Sequence, residues 1–192
     1  MTNDNIIYYR SPEMMYDPNS RRVEGYAVVF DSPSENMGFI ETIHRGAITE
    51  ETIKNSDVLA RFNHDPNKIL ARSKFGTGSL SLTVDDVGVR YSFDAPKTAL
   101  GDELLEHLHR GDITSSSFAF TISSEKGSER WYKQDGQLYR DIYKIDRLWD
   151  VSPVWIPAYE ATTCSARCLE MVEKSQILEE KYNALIREIE AF

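Results

Sequence analysis

Three residue types that can combine for nucleophilic catalysis occur in three separate segments of this chain. His64 closes a mostly apolar extended run, Ser117 is the third of three consecutive serines, and Asp150 interrupts an apolar stretch. A serine hydroxyl becomes a nucleophile only when a base within hydrogen-bond reach takes its proton, and that base needs a third group to fix its tautomer. The three segments could together supply such a nucleophile, base and acid.

Each of these residues also has a structural interpretation. A histidine at the end of a strand face is more often a satisfied structural residue, and here a period of two predicts one face made of Val58, Ala60, Phe62 and His64. Three serines in a row are more often a turn, although Ser117 has a face of small residues beyond it. Asp150 is costly to bury without a cation or a hydrogen-bond donor, so it could be a solvated strand end.

The other histidines and the two cysteines indicate no further site. His107 and His109 lie on different faces of a helix, which makes a poor chelate, and we expect them to be solvated. His44 lies in a turn-like sequence that assigns it no role. Cys164 and Cys168 have no nearby histidine and are expected to be reduced structural thiols. Nucleotide and zinc-protease motifs are absent from the sequence, and we expect neither a metal nor a cofactor.

Short strands broken by turn residues dominate the chain from Arg22 to about Ile156, which predicts a β-rich α+β domain. A change to helical spacing predicts a helix over Thr98–Arg110 that ends at Gly111, and Ile48–Asn55 reads as a short helix. The predicted strands are Val23–Phe30, Phe39–Ile43, Val58–His64, Leu80–Val84, Val89–Phe93, Ile113–Ile122, Gln137–Ile145 and Leu148–Val154.

The C-terminal segment has a different pattern. Spacings of four and three predict a heptad seam made of Met171, Ser175, Leu178, Tyr182, Leu185, Ile189 and Phe192. Such a helix could pack on its own domain or pair with a second chain, and three heptads do not choose between the two.

Length, charge and hydropathy exclude several classes of protein. A chain of 192 residues favours one domain with appended pieces. The formal net charge of −9 disfavours nucleic-acid binding, which needs clustered positive charge. No apolar run approaches the roughly 18 residues of a membrane span, and no secretory signal is visible, so a reducing aqueous compartment is expected.

Six short motifs in one order carry a resemblance to a known family. They are Gly25–Phe30 (GYAVVF), Glu41–Ile48 (ETIHRGAI), Phe62–Asp65 (FNHD), Gly111–Ile113 leading into Ser117–Phe120 (SFAF), Asp150–Val154 (DVSPV) and Pro157-Ala158. From about Gly25 to Ala161 the chain resembles the prohead (capsid maturation) serine proteases of tailed double-stranded-DNA phages. The fold of that family is similar to that of the herpesvirus assembly proteases.

The resemblance implies a herpesvirus-protease-like β-barrel with a few surrounding helices, and roles for three residues. His64 would be the general base, Ser117 the nucleophile and Asp150 the third member, where the family more usually has Glu. The expected domains are an N-terminal arm over 1–21, a protease barrel over 22–165 and a C-terminal helix over 166–192.

In function, the resemblance implies a serine endopeptidase that cleaves the major capsid protein or a scaffold segment, and also itself. It would act as a homo-oligomer in the bacterial host cytoplasm, inside the assembling prohead, without nucleic acid or membrane. An alternative from another class is a non-catalytic capsid assembly or scaffolding module with the same barrel and a coiled-coil tail.

Overall fold

The structure is a computed structural model that describes residues 21–155 and the backbone of the two-residue strand Met15–Tyr16. Within these described residues, two helices, α1 (Glu50–Lys54) and α2 (Ala99–Arg110), lie among twelve strands. The strands are β1 (Met15–Tyr16), β2 (Arg22–Val29), β3 (Ile40–Ile43), β4 (Asp57–Arg61), β5 (Ile69–Lys74), β6 (Thr77–Gly78), β7 (Leu80–Val84), β8 (Gly88–Asp94), β9 (Ser115–Ile122), β10 (Glu129–Gln134), β11 (Gln137–Ile142) and β12 (Ile145–Val154).

The strands form three sheets, with the orders β1-β2-β8-β7, β10-β11-β3 and β6-β5-β4-β12-β9. The prediction of a β-rich domain with few helices is confirmed. The predicted closed barrel is not found among the described strands. The reason is the way the sheets meet: β9, at the edge of the third sheet, contacts the interior strand β8 of the first through a side-chain hydrogen bond between Ser116 and Tyr91, where closure would need a backbone ladder.

The hairpin and the long helix form where the sequence predicts them. Strands β7 and β8 pair antiparallel around a turn in which the Asp85 carboxylate accepts the N–H groups of Val87 and Gly88. Thr98 caps the start of α2, and Gly111 ends it in the left-handed region at φ 74°, a conformation that glycine adopts without a Cβ penalty. Local sequence is sufficient for these elements because their signals lie within a few residues.

Other elements differ from the predictions at their ends. β12 begins at Ile145, which was assigned to the preceding strand, and β4 ends at Arg61 rather than at His64. Strands β1, β5, β6 and β10 were not predicted. The predicted helix over 166–192 lies outside the described residues.

One face of the five-stranded sheet packs on the hydrophobic core. Val58, Ala60 and Val151 are completely buried there, and Phe118 and Phe120 pack against the same cluster. Alternation along each strand turns the residues between them to the opposite face. That opposite face, which we call the site face, consists of Leu59, Arg61, Ser117, Ala119, Asp150 and Ser152.

Candidate active site

Strand register brings Ser117 and Asp150 to one face of the five-stranded sheet. β12 runs antiparallel to β9, with Ser152 opposite Ser117 and Asp150 opposite Ala119. Because directly opposed residues project to the same face, Ser117 and Asp150 occupy diagonal positions on the site face. Such a diagonal separation is about 7–8 Å, which one imidazole ring with a hydrogen bond at each nitrogen can span.

Asp150 is a buried carboxylate that three donors satisfy. The residue is 1% exposed. It is therefore not the solvated strand end that the sequence left open as an alternative. Its Oδ1 lies 3.0 Å from His64 Nδ1 and accepts the Ser152 hydroxyl at 2.5 Å, and its Oδ2 accepts Arg61 Nη1 at 3.3 Å. These donors offset the desolvation of the carboxylate, which would otherwise be strongly unfavourable.

His64 reaches Asp150 from a tight turn and not from a strand. Asn63 and His64 have φ values of 53° and 57°, and the Asn63 N–H donates to Pro153 O at 3.0 Å, which ties the turn to β12. The expectation that His64 shares a face with Ala60 is therefore wrong. Two successive left-handed residues redirect the chain, so the imidazole meets Asp150 on the site face. Positive φ at non-glycine residues is costly and is concentrated at functional sites.

The hydrogen bond to Asp150 fixes the tautomer of His64. A carboxylate accepts hydrogen bonds, so Nδ1 carries the proton and Nε2 is the acceptor nitrogen of the neutral ring. The shorter side chain of Asp, compared with Glu, does reach the imidazole in this fold. His64 and Asp150 are in direct contact, whereas Ser117 is placed with them by register.

Ser117 and Ser116 project to opposite faces of β9. Ser116 Oγ lies 2.8 Å from the hydroxyl of Tyr91, a residue 1% exposed in the core, and burial raises the pKa of that phenol. Holding Ser116 against the core side leaves Ser117 on the site face. The predicted division of this strand is confirmed, since Phe118, Phe120 and Ile122 pack on the core while Thr121 is exposed.

The other described histidines lie in separate clusters. His44 stacks on Tyr143 and lies 3.1 Å from an Asp31 carboxylate oxygen. His109 is exposed, as expected. His107 was also expected to be solvated, but it is half-buried, stacks on Phe62 and lies 3.1 Å from Asp112 Oδ2. Contacts of its ring with Phe62 and Trp155 explain the difference.

Arg61 and Ser152 were missed by the sequence reasoning. Both side chains contact Asp150. Both residues lie on the site face, since Arg61 is two residues after Leu59 and Ser152 is two residues after Asp150. Because residues two apart in a strand share a face, the sequence was sufficient to place Ser152 on the same face as Asp150. Finding Arg61 needed the parallel pairing of β4 with β12, which single strands do not reveal. Cys164 and Cys168 lie outside the described residues.

In the part of the chain that the structure describes, no helix is long and apolar enough to cross a membrane.

A family model described as caudovirus prohead serine protease matches residues 9–176 of the chain. No curated protein and no solved structure matches the chain. The matched range contains every residue of the site described above. The chain therefore belongs to the caudovirus prohead serine proteases and is a serine peptidase.

Proposed function

We propose that this protein is an endopeptidase that cleaves its substrates with Ser117 as nucleophile, His64 as general base and Asp150 as the acid that orients the base. Its family is one of capsid maturation, which takes place inside the assembling capsid in the host cell. The observation that carries the proposal is the contact between His64 Nδ1 and the buried Asp150 carboxylate, with Ser117 on the same face of the neighbouring strand.

The geometry supports the following sequence of steps. With Nδ1 bonded to Asp150, the imidazole accepts the Ser117 proton at Nε2 while Oγ attacks the scissile carbonyl carbon. The proton then passes from Nε2 to the leaving amine as the peptide C–N bond breaks, which leaves an acyl-enzyme on Ser117. Water, deprotonated by the same nitrogen, attacks that ester, and the proton passes from Nε2 to Ser117 Oγ as the ester C–O bond breaks. The Asp150 carboxylate stabilises the imidazolium that forms in both halves of the reaction.

The most direct test labels the nucleophile with a fluorophosphonate, which needs no knowledge of the natural substrate. We expect covalent labelling of the wild-type chain at Ser117, located by mass spectrometry of the tryptic peptides. Ser117→Ala should abolish it, because loss of the nucleophile in a well-studied serine protease costs about 10⁶-fold in turnover. Ser115→Ala is the matched control on the same strand. Labelling that survives in Ser117→Ala but is lost in Ser115→Ala would reject the assignment.

The proposed substrates are the major capsid protein or a scaffold segment, and the protease chain itself. The family supports capsid or scaffold proteins as the class of substrate. Co-expression with the neighbouring coat protein, followed by intact-mass spectrometry, should show a truncated coat protein with the wild-type chain and none with Ser117→Ala. Truncation that persists with Ser117→Ala would assign the cleavage to a host protease.

We also propose that the chain is organised as an arm over 1–21, a protease domain over 22–165 and a C-terminal helix over 166–192 through which it self-associates. The support is the heptad seam from Met171 to Phe192, because an isolated helix of this length is marginal in water and must pack on something. Truncation before Glu170 should lower the mass per particle measured by light scattering. An unchanged mass with a lower melting temperature would indicate packing within the chain.

A further inference from the structure

The Asp150 carboxylate makes two contacts that the proposed catalytic steps do not use, one with Ser152 and one with Arg61. Arg61 Nη1 donates to Oδ2 at 3.3 Å, while His64 and Ser152 both occupy Oδ1. The Arg61 side chain is 26% exposed, and its Nε is buried without a hydrogen-bond partner among the described residues. A guanidinium in this position is partly desolvated, so its contact with Asp150 is stronger than an exposed ion pair.

We propose that Arg61 is a positioning residue: it holds Oδ2 of Asp150 so that Oδ1 stays directed at His64 Nδ1. The proposal rests on the function proposed above, since it concerns the orientation of the proposed base. Arg61 and Asp150 lie on neighbouring parallel strands, β4 and β12, where Asp150 pairs with Leu59. The guanidinium therefore reaches the carboxylate from the strand that leads directly into the turn of His64.

A carboxylate on a short side chain has one torsion that decides which oxygen faces a given partner. Ser152, completely buried on the same strand, donates to Oδ1. Without Arg61, no donor among the described residues would hold Oδ2. Rotation of the carboxylate would then exchange its two oxygens or break the hydrogen bond to His64. Arg61 also supplies a permanent positive charge beside a buried anion, since a guanidinium does not lose its proton in proteins.

Other charged groups near this turn are directed elsewhere. The Asp65 carboxylate accepts the N–H of Asn67 within the turn, and Lys68 lies over the Phe62 ring. His107 also stacks on that ring and contacts Asp112. No contact of these groups with Asp150 occurs in the described part of the chain, so Arg61 is the cation that can be removed with the clearest effect on the carboxylate.

The test combines the rate of fluorophosphonate labelling of Ser117 with a spectroscopic reading of the His64–Asp150 bond. The Nδ1 proton of an imidazole bonded to a carboxylate gives a far-downfield proton resonance, which His64→Gln assigns by its disappearance. In Arg61→Met we expect that resonance to shift or disappear and labelling to slow by about 10²-fold, the cost of misplacing a catalytic group by roughly 1 Å. Arg61→Lys should retain both, because only one N–H contacts Oδ2 and an ammonium can replace it.

Arg90→Met is the matched control, since Arg90 also holds a carboxylate, Glu24, at 3.0 Å but in a different sheet. It should leave the resonance and the labelling rate unchanged. If Arg61→Met does not fold, Arg61→Gln keeps a donor without the charge and should give an intermediate rate with the resonance retained.

The outcomes separate the two proposals. Wild-type resonance and labelling in Arg61→Met would overturn the role of Arg61 and leave the proposed function intact. A wild-type chain that shows the resonance but is not labelled at Ser117 would overturn the proposed function. In that case, loss of the resonance in Arg61→Met would still support Arg61 as the residue that positions Asp150.

Discussion

Of the three described histidines that contact an aspartate through Nδ1, His64 and His107 do so at almost the same distance, 3.0 Å to Asp150 and 3.1 Å to Asp112. Their surroundings differ. The side chain of Asp150 is 2% exposed and lies 86 residues from its histidine, whereas that of Asp112 is 40% exposed and lies five residues away. A histidine–aspartate distance therefore does not identify a catalytic pair by itself.

The two pairs differ in how far the carboxylate is desolvated and in which residues lie beside it. Asp112 follows the glycine that ends α2, so its contact with His107 is a local one formed by the turn of the chain and weakened by solvent. Asp150 is desolvated and needs all of its donors, and a serine lies on the same face of the next strand. Only the second arrangement can orient a base toward a nucleophile.

The largest expected effect separates the two histidines. His64→Ala should reduce fluorophosphonate labelling and coat-protein cleavage by about 10⁵–10⁶-fold, because activation of the serine hydroxyl depends on the base. His107→Ala should leave the labelling rate near the wild-type value, although it removes packing against Phe62. Equal losses in the two variants would show that the comparison has no functional meaning.

The second effect concerns the two aspartates. Asp150→Asn should slow labelling by about 10⁴-fold, since an amide favours the wrong imidazole tautomer but leaves the base in place. The loss should be smaller than that of His64→Ala. Asp112→Asn, measured under the same conditions, serves as the control and should have no effect on the rate. If Asp150→Asn were more damaging than His64→Ala, the roles would have to be redrawn around the carboxylate.

A smaller effect distinguishes a serine that supports the site from the proposed nucleophile. Ser116→Ala leaves the buried Tyr91 hydroxyl without its partner and should lower the free energy of unfolding by about 1–3 kcal/mol. Tyr91→Phe should lower the free energy of unfolding by less, because it removes the buried hydroxyl and leaves only the Ser116 hydroxyl without its partner. Urea unfolding measures both variants, and both should still be labelled at Ser117. Loss of labelling in Ser116→Ala at full stability would contradict this division of roles.

The smallest effect comes from an arginine–aspartate pair outside the site. Arg72 donates to both carboxylate oxygens of Asp57, at 2.7 and 2.5 Å, and these hydrogen bonds lower the pKa of Asp57. A lowered pKa in the folded state gives stability that is present above the pKa of the unfolded chain, about 3.9, and is lost as the pH falls further. Melting temperatures between pH 7 and pH 3 should therefore decrease slightly less in Arg72→Met than in the wild type. A steeper acid dependence in the variant would contradict this sign.

The sequence by itself determined the local elements, the choice of candidate residues and the family. Alternation from Leu80 to Phe93 and helical spacing from Thr98 to Arg110 are signals carried by adjacent residues, so the hairpin and α2 form where predicted. The division of β9 into an aromatic face and a small polar face was also readable, because a strand alternates whatever it packs against. The motifs around His64, Ser117 and Asp150 likewise suffice for the family.

Tertiary structure alone decided how those residues meet. The face of His64 was predicted wrongly because two left-handed residues, Asn63 and His64, reverse the alternation, and nothing in their types requires that conformation. The burial of Asp150 depends on its position between β4 and β9, and the contact with Arg61 depends on a parallel pairing of strands far apart in the chain. Such pairings are fixed by the packing of whole sheets, because each brings together segments that carry no local signal of one another.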